Sequence, residues 1–342
     1  EKKKDIDQIL VTSNTLSSSK VISKYKFKKV THQFFPIDTN HNTRKFLDYW
    51  KPSLSMFVDS EIWPNMLLNL KKRKIPIVLI NGRITLKTFK RWSNFKNFSN
   101  FIFGKFDLCI CSSLKSKIYL KKLGAKKLKF FGNLKYSQSE FEKIEINKNI
   151  KKFIRSKKVW CASSTHNTEE NFVGLVHKKL KKKYKNLLTI IIPRHIHRIN
   201  LIKEPLSHMG LKIHLHENKK RISKDTDIYL VDSYGQTKSF FSMCQNVFLR
   251  GSLINHGGQN PLEAVRYGCN ILHGPNVSNF DEIYSFLNSQ KISFGIKKHN
   301  GMLKVLSKLL SSKKNQGNIK KKIHLKGEKI LKLTIKEIDN YL

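Results

Sequence analysis

The chain is poor in several things, and each scarcity closes off a class of protein. No stretch comes near the roughly 20 consecutive apolar residues that a membrane-spanning helix needs, and the opening residues show no signal-peptide pattern. Cysteines number five (Cys109, Cys111, Cys161, Cys244, Cys269), an odd and scattered set without C-x-x-C. They read as buried free thiols in a reducing compartment, not as a disulfide frame or a zinc site. The 13 histidines are dispersed, with no H-E-x-x-H, and the chain carries neither a Walker A sequence nor G-x-G-x-x-G. Zinc peptidases, P-loop NTPases and dinucleotide-dependent dehydrogenases are therefore left out. Acidic residues are also scarce: 24 Asp and Glu stand against 67 Lys and Arg, a formal net charge of +43. The lysines are spread along the whole chain, which points first to an AT-rich coding composition. The functional alternative is an anionic partner: a membrane surface, nucleic acid or a phosphorylated substrate. Aromatic residues are not interleaved with basic ones as an RNA-binding surface would have them, so nucleic acid is set aside.

What is present is alternation. Short β-branched runs ("QILVTS", "HQFFP", "SMFVD", "IPIVLI", "DLCICSS", "KLKFFG") are separated by helical patterns. One such pattern, residues 61–73, puts Trp63, Met66, Leu67 and Leu70 on one face. The alternation pauses over the polar stretch 136–156 and resumes with "VWCASS", "LLTIIIP", "KIHLH", "DIYLVD", "NVFLRG" and "NILHGP". Length and pattern together predict an α/β protein of two doubly wound, parallel-sheet domains. The expected borders are 1–145, 146–322 and a closing amphipathic helix over 323–342. The chain opens at Glu1 and runs almost at once into an apolar strand, which reads as a frame with residues missing upstream.

Ligands of such sheets sit beyond the C-terminal ends of the strands, and the unusual residues cluster there. In "HGGQNPLEAVRYG" (256–268) Asn260, Pro261 and Glu263 fit a helix cap. The glycines beside them leave a backbone bare enough for an anion to approach, and Glu263 stands where a ribose diol could be held. Cap and nucleotide site are evenly weighed on these residues alone. "SSTHNTEE" (163–170) presents Ser164 and His166 at a strand end, with Glu169 and Glu170 suited to an ordinary helix start. "IIIPRHIHR" ends an apolar strand in Pro193, Arg194 and His195; burying an unpaired Arg194 would be costly, so an anionic partner is expected. "VDSYGQTKSF" adds Tyr234, Gly235 and Gln236 at another strand end. In the first half, Asp59 and Glu61 are two carboxylates at a strand end, either helix caps or acid/base groups. Lys135 in "FGNLKYS" could meet developing negative charge. The "DTD" at 225–227 precedes its strand and reads as a loop, not as a metal-binding D-x-D.

Taken in order, "FFPIDTN", "SEIWPN", "LINGRI", "GNLKYS", "SSTHNTEE", "PRHIHR", "GSLINHGGQNPLEA" and "HGPNVSNFDEI" resemble one family over nearly the whole chain: the 3-deoxy-D-manno-octulosonic acid (Kdo) transferases. The resemblance implies a GT-B architecture of two Rossmann-like domains facing a cleft, and an inverting transfer of Kdo from CMP-Kdo to a lipid A precursor, lipid IVA. It implies no metal or other cofactor, and work at the cytoplasmic, anionic face of a Gram-negative inner membrane. CMP-Kdo would be held by Ser164, His166, Pro193, Arg194, Tyr234, Gly235, Gln236, Asn260, Pro261, Leu262 and Glu263, while Asp59, Glu61 and Lys135 would serve the chemistry. The family's catalytic glutamate lies ahead of the block that "VTSNTLSS" matches, upstream of residue 1. Departures from the family pattern are Asp59 for Glu, Gln236 for Glu, Tyr234 for Met, Arg250 for Gly and Thr168 for Gly. Two rival readings stand beside this one: a GT-B transferase using a UDP-sugar, and a catalytically inactive basic protein on lipid or RNA.

Overall fold

A computed structural model describes residues 6–25, 27–138, 147–167, 169–218, 220–253, 257–297, 299–312 and 317–342. The chain forms two compact units. The first comprises residues 1–133 together with 332–342, and the second comprises 134–331.

The first unit runs β1 (Ile9–Ser13), α1 (Leu16–Ile22), β2 (Val30–Phe34), α2 (Asn40–Trp50), β3 (Ser55–Val58), α3 (Pro64–Lys72), β4 (Ile77–Gly82), α4 (Leu86–Ser93), α5 (Lys96–Phe103), β5 (Leu108–Cys111), α6 (Leu114–Lys122) and β6 (Leu128–Phe130). β3 to β6 pair in parallel in sequence order, and β1 pairs in parallel with β2 as a separate ribbon. Side chains alternate across strands, and β4 shows the result. Ile77 and Leu79 face a core with Leu47, Leu67, Leu70, Ile102, Phe103 and Leu120. Val78 faces the other way with Leu108 and Ile110, where Ile338 and Tyr341 of the chain's last residues cover it. That covering is why 332–342 belongs to this unit. The helical stripe expected over 61–73 forms α3. Met66, Leu67 and Leu70 are buried, each such burial being worth about 1.5–3 kcal/mol, and half-buried Trp63 packs on Phe35 with ring centroids 5.2 Å apart.

The second unit continues with α7 (Lys148–Arg155), β7 (Lys158–Thr165), α8 (Glu169–Lys183), β8 (Leu187–Pro193), α9 (Ile199–His208), β9 (Ile213–Leu215), β10 (Ile228–Leu230), α10 (Thr237–Phe241), β11 (Asn246–Leu249), α11 (Leu262–Arg266), β12 (Asn270–His273), α12 (Asp281–Ser289), β13 (Ser293–Gly295), α13 (His299–Ser311) and α14 (Gly317–Ile338). Its seven strands are all parallel, in the order β13-β12-β11-β7-β8-β10-β9. From β7 the chain builds outward through β8 in one direction and later returns to lay β11 on the opposite side. The switch point therefore lies between β7 and β11, where such sheets open a crevice for ligands. One core joins Trp160, Ala162 and Phe248 of the sheet to Val173, Val176 and Leu180 of α8 and to Met302 and Leu306 of α13. The short strand β13 went unread in the sequence, because three residues bearing a serine and a glycine carry no periodicity.

Candidate active site

Every strand-end motif of the second unit reaches the same edge of one parallel sheet. Ser164 and His166 close β7, Pro193 and Arg194 close β8, Tyr234 to Gln236 follow β10, and Asn260 to Glu263 follow β11. Neighbouring ends are tied through the main chain. The Arg194 amide donates to the Thr165 carbonyl (3.0 Å), and the Arg250 amide to that of Ser163 (3.1 Å). The His166 and His195 rings lie 6.2 Å apart. Ser164 holds φ 58°, a left-handed backbone that a serine adopts only when its surroundings over-determine it.

The start of α8 is rigidly built. The His166 amide donates to Glu169 Oε2 at 2.8 Å. Glu169, only 3% exposed, is paired at 2.6 Å with the fully buried Arg250 at the end of β11. Glu170 pairs with Arg198 at 3.3 Å. The expected ordinary helix start is thus present, but its two carboxylates are spent on arginines, the buried Arg250 and the half-buried Arg198. Thr168 and His256 lie outside the described residues. Arg194, expected to be buried, is instead exposed, so no desolvation cost forces an anion on it. The arginine that burial obliges to pair is Arg250, and half-buried Arg198 pairs as well.

In "HGGQNPLEAVRYG", Asn260 Oδ1 accepts the Leu262 amide (3.1 Å), but the N-cap position falls on Pro261, so α11 starts one residue later than the cap pattern suggests. Gly257 and Gly258 hold φ 79° and 76°, which accounts for glycine there. On the side where a Cβ would stand, both are already packed. A Cβ on Gly257 would stand 2.4 Å from the Asn279 amide nitrogen, and one on Gly258 would stand 3.1 Å from the Val277 Cα. The pair locks the 276–279 loop against the approach to α11, helped by an Asn279 amide bond to the Gly257 carbonyl (3.0 Å). α11 spans five residues, so its macrodipole is small.

In the first unit the capping alternative for Asp59 and Glu61 gives way. α3 is capped instead by Asp38 of the "FFPIDTN" block, whose carboxylate accepts the Asn65 and Met66 amides at 3.1 and 2.9 Å. Asp59 sits at the end of β3 with φ 55°, beside Asn81 at the end of β4 with φ 53°. Asn81 Nδ2 donates to Asp59 Oδ1 at 2.5 Å. Glu61 Oε2 accepts the Trp63 indole N–H (2.8 Å) and the Asn14 side-chain amide (3.3 Å). Each carboxylate thus accepts a neutral side-chain donor, and Asn81 is a partner of Asp59 that the sequence did not flag. Lys135 falls in the second unit, on a 3-10 turn (Leu134–Ser137), with Nζ 5.2 Å from the centre of the Phe280 ring.

The "DTD" acids are engaged structurally. Asp225 pairs with Lys212, and Asp227 meets Lys181 Nζ (2.9 Å), the Lys212 amide (3.0 Å) and His177 Nε2 (3.3 Å). Burial opposes ionisation of Asp227, but these hydrogen bonds outweigh it and hold the carboxyl well below the usual range. Among the described residues no three His, Cys, Asp or Glu side chains gather as metal ligands, and no helix is long and apolar enough to cross a membrane.

Two Rossmann-like parallel-sheet units with strand-end loops of this kind define the GT-B class of architecture. Solved structures of that form align along almost the whole chain. The UDP-GlcNAc 2-epimerase of Neisseria meningitidis, solved with UDP-GlcNAc, has a TM-score of 0.60 over 96% of this chain and 91% of that one, at 13% identity. That likeness speaks for the fold alone. Sequence carries the rest. Residues 1–138 match the 3-deoxy-D-manno-octulosonic-acid transferase (kdotransferase) family model. The 3-deoxy-D-manno-octulosonic acid transferase of Rickettsia bellii is 31% identical over 339 residues, covering 98% of this chain and 79% of that protein. That of Haemophilus influenzae is 28% identical over 285 residues, covering 82% and 66%. The chain belongs to the 3-deoxy-D-manno-octulosonic acid transferase family of glycosyltransferases. It spans about two thirds of the length of the Haemophilus relative and of the one from Rickettsia felis, 66% and 65%.

Proposed function

We propose that this protein transfers Kdo from CMP-Kdo to a lipid A precursor in lipopolysaccharide assembly, with inversion and without a metal. The observation that carries the reading is the convergence of four family motifs on one edge of one sheet, around its switch point. CMP is assigned to Pro193 and Arg194, to Tyr234, Gly235 and Gln236, and to Asn260 through Glu263, with Ser164 and His166 beside them. Glu263 holds the ribose hydroxyls. As CMP leaves, negative charge grows on its phosphate, and Arg194, main-chain amides and Lys135 stabilise it. The sugar passes through an oxocarbenium-like state. Asp59, which accepts the Asn81 side-chain amide, and Glu61 are assigned to stabilising that positive charge. A general base must take the proton from the acceptor hydroxyl as the new bond forms.

The acceptor is a membrane lipid, and the anionic inner-membrane surface at the cytoplasmic face is the proposed place of work. Two features support it. Residues 62–106 contain no acidic residue. Within them Leu86, Phe95, Phe98 and Phe101 are exposed among Lys87, Lys90, Arg91, Lys96 and Lys105, the combination that binds acidic bilayers. The deciding experiment incubates the full-length protein with CMP-Kdo and lipid IVA; a Kdo-bearing product is expected, and no transfer rejects the reading. Calorimetry with CMP and UDP sets the donor class: tighter binding of UDP would move the protein to a UDP-sugar.

A further inference from the structure

We propose that Arg266, which lies outside all the family motifs, is a positioning residue that fixes Lys135 for the transfer. The inference rests on the role given to Lys135 above. Arg266 closes α11, three residues beyond Glu263. Its Nη2 donates to the Lys135 carbonyl at 2.5 Å and reaches the Tyr136 carbonyl at 3.5 Å. A charged donor on a main-chain carbonyl is a strong, directional tie, and here it joins the segment assigned to the nucleotide directly to the turn that carries the lysine.

The rest of the turn is held as firmly. Ser137 Oγ donates to the Leu134 carbonyl at 2.7 Å. Tyr136, 2% exposed, meets Phe286 of α12 edge-on at 5.9 Å. The Lys326 ammonium lies 4.7 Å from the Tyr136 ring and 4.1 Å from that of Phe286. On the α14 side a Cβ at Gly327 would stand 2.3 Å from the Tyr136 carbonyl oxygen, so only glycine lets that helix come so close. Close main-chain packing from Gly327 and the Arg266 guanidinium therefore both grip the turn. The Lys135 ammonium rests over Phe280, which follows the loop locked onto Gly257. Both ends of Lys135, carbonyl and ammonium, are thus referenced to the elements around the proposed donor site. Arg266 touches none of the reacting atoms in this arrangement; it acts through the main chain of Lys135.

The test is a double-mutant cycle in the full-length protein. Arg266→Met keeps the aliphatic stem and removes the donors. It is expected to lower kcat about 10- to 100-fold while KM for CMP-Kdo moves less than about 3-fold. In a Lys135→Ala background the same change should cost less than about 2-fold more, because the group it positions is gone. An Arg266→Met kcat near wild type, or losses that multiply in the double variant, overturns the proposal. Should the Met variant fail to melt cooperatively, Arg266→Gln, which keeps one donor, replaces it, and multiplicative losses overturn the proposal there as well. A fully active Lys135→Ala protein removes the role of Lys135 itself and the proposal with it. A crippled Lys135→Ala with a silent Arg266→Met removes only the inference about Arg266.

Discussion

The two units spend their few acidic residues differently. In the second, buried Glu169 and Glu170 pair with Arg250 and Arg198 and half-buried Asp227 with Lys181, and only Asp225 meets its lysine, Lys212, at the surface among these four. In the first, Asp107 meets Lys71 in a part-exposed pair and exposed Asp48 meets half-buried Arg73. Apolar surface is distributed the opposite way. Most of the large hydrophobic side chains left exposed belong to the first unit, among them Leu16, Ile37, Tyr49, Leu86, Phe95 and Phe101, and few to the second. With acids this scarce, the contrast is informative. The second unit uses charge to lock loops in place, which suits the donor site proposed for it. The first leaves greasy, positively charged surface available, which suits the membrane contact proposed for it.

Four measurements would break or sharpen this contrast. The largest expected effect is on stability: Arg250→Met strands Glu169 as a buried charge and should cost about 3–5 kcal/mol, whereas Lys71→Met breaks a part-exposed pair and should cost about 1 kcal/mol or less. Equal losses in denaturant melts would erase the distinction. Next, changing Phe95, Phe98 and Phe101 together to Ser should weaken binding to phosphatidylglycerol vesicles about 10- to 100-fold, from the lost apolar burial, with little change in calorimetric CMP affinity. Undiminished vesicle binding would place the membrane contact elsewhere. A smaller effect is on acid stability. The folded Asp227 carboxyl titrates below the unfolded value of about 3.9, so its contribution is whole above that pH and drains away as pH falls below it. Asp227→Asn should therefore flatten the acid limb of a melting-temperature profile, and an unchanged slope would show that its partners hold nothing in the folded state. The smallest effect is chemical. All five cysteines are buried and free, and burial pushes the Cys111 thiol up to about 12. The native protein at pH 8 should leave Ellman's reagent unconsumed over minutes, while denatured protein reacts at every thiol; rapid native labelling would expose a looser core.

Much of this architecture could be read from residue order alone, and the failures have physical causes. Periodicity located twelve strands because the central ones, such as β5, β8 and β11, are buried on both faces and read as apolar runs, and the rest are β-branched or aromatic stretches between turn residues; β13 is short and half polar. Strand-end motifs were found because Gly, Pro, Asn and charged residues interrupt apolar runs abruptly. Partners distant in sequence were not visible. Asp38 takes the cap of α3 from Asp59 and Glu61 across more than twenty residues. Asn81 meets Asp59 only because β3 and β4 are neighbours in register. Arg250 looked like a mere departure from a family glycine, and pairing with Glu169 gives it a task. The glycines at 257 and 258 suggested a backbone open to a ligand, and what the residue order did not show is that the 276–279 loop packs on their Cβ side.

The covering of the β3–β6 sheet by residues 332–342 has a consequence for biosynthesis. Chains usually complete their domains in the order in which they leave the ribosome, the N-terminal one first. Here Ile338 and Tyr341 close the face formed by Val78, Leu108 and Ile110, and the Tyr341 hydroxyl donates to the Asp107 carbonyl at 3.2 Å. The half of the molecule translated first must therefore wait, with one side of its sheet uncovered, until the whole of the other half has been made.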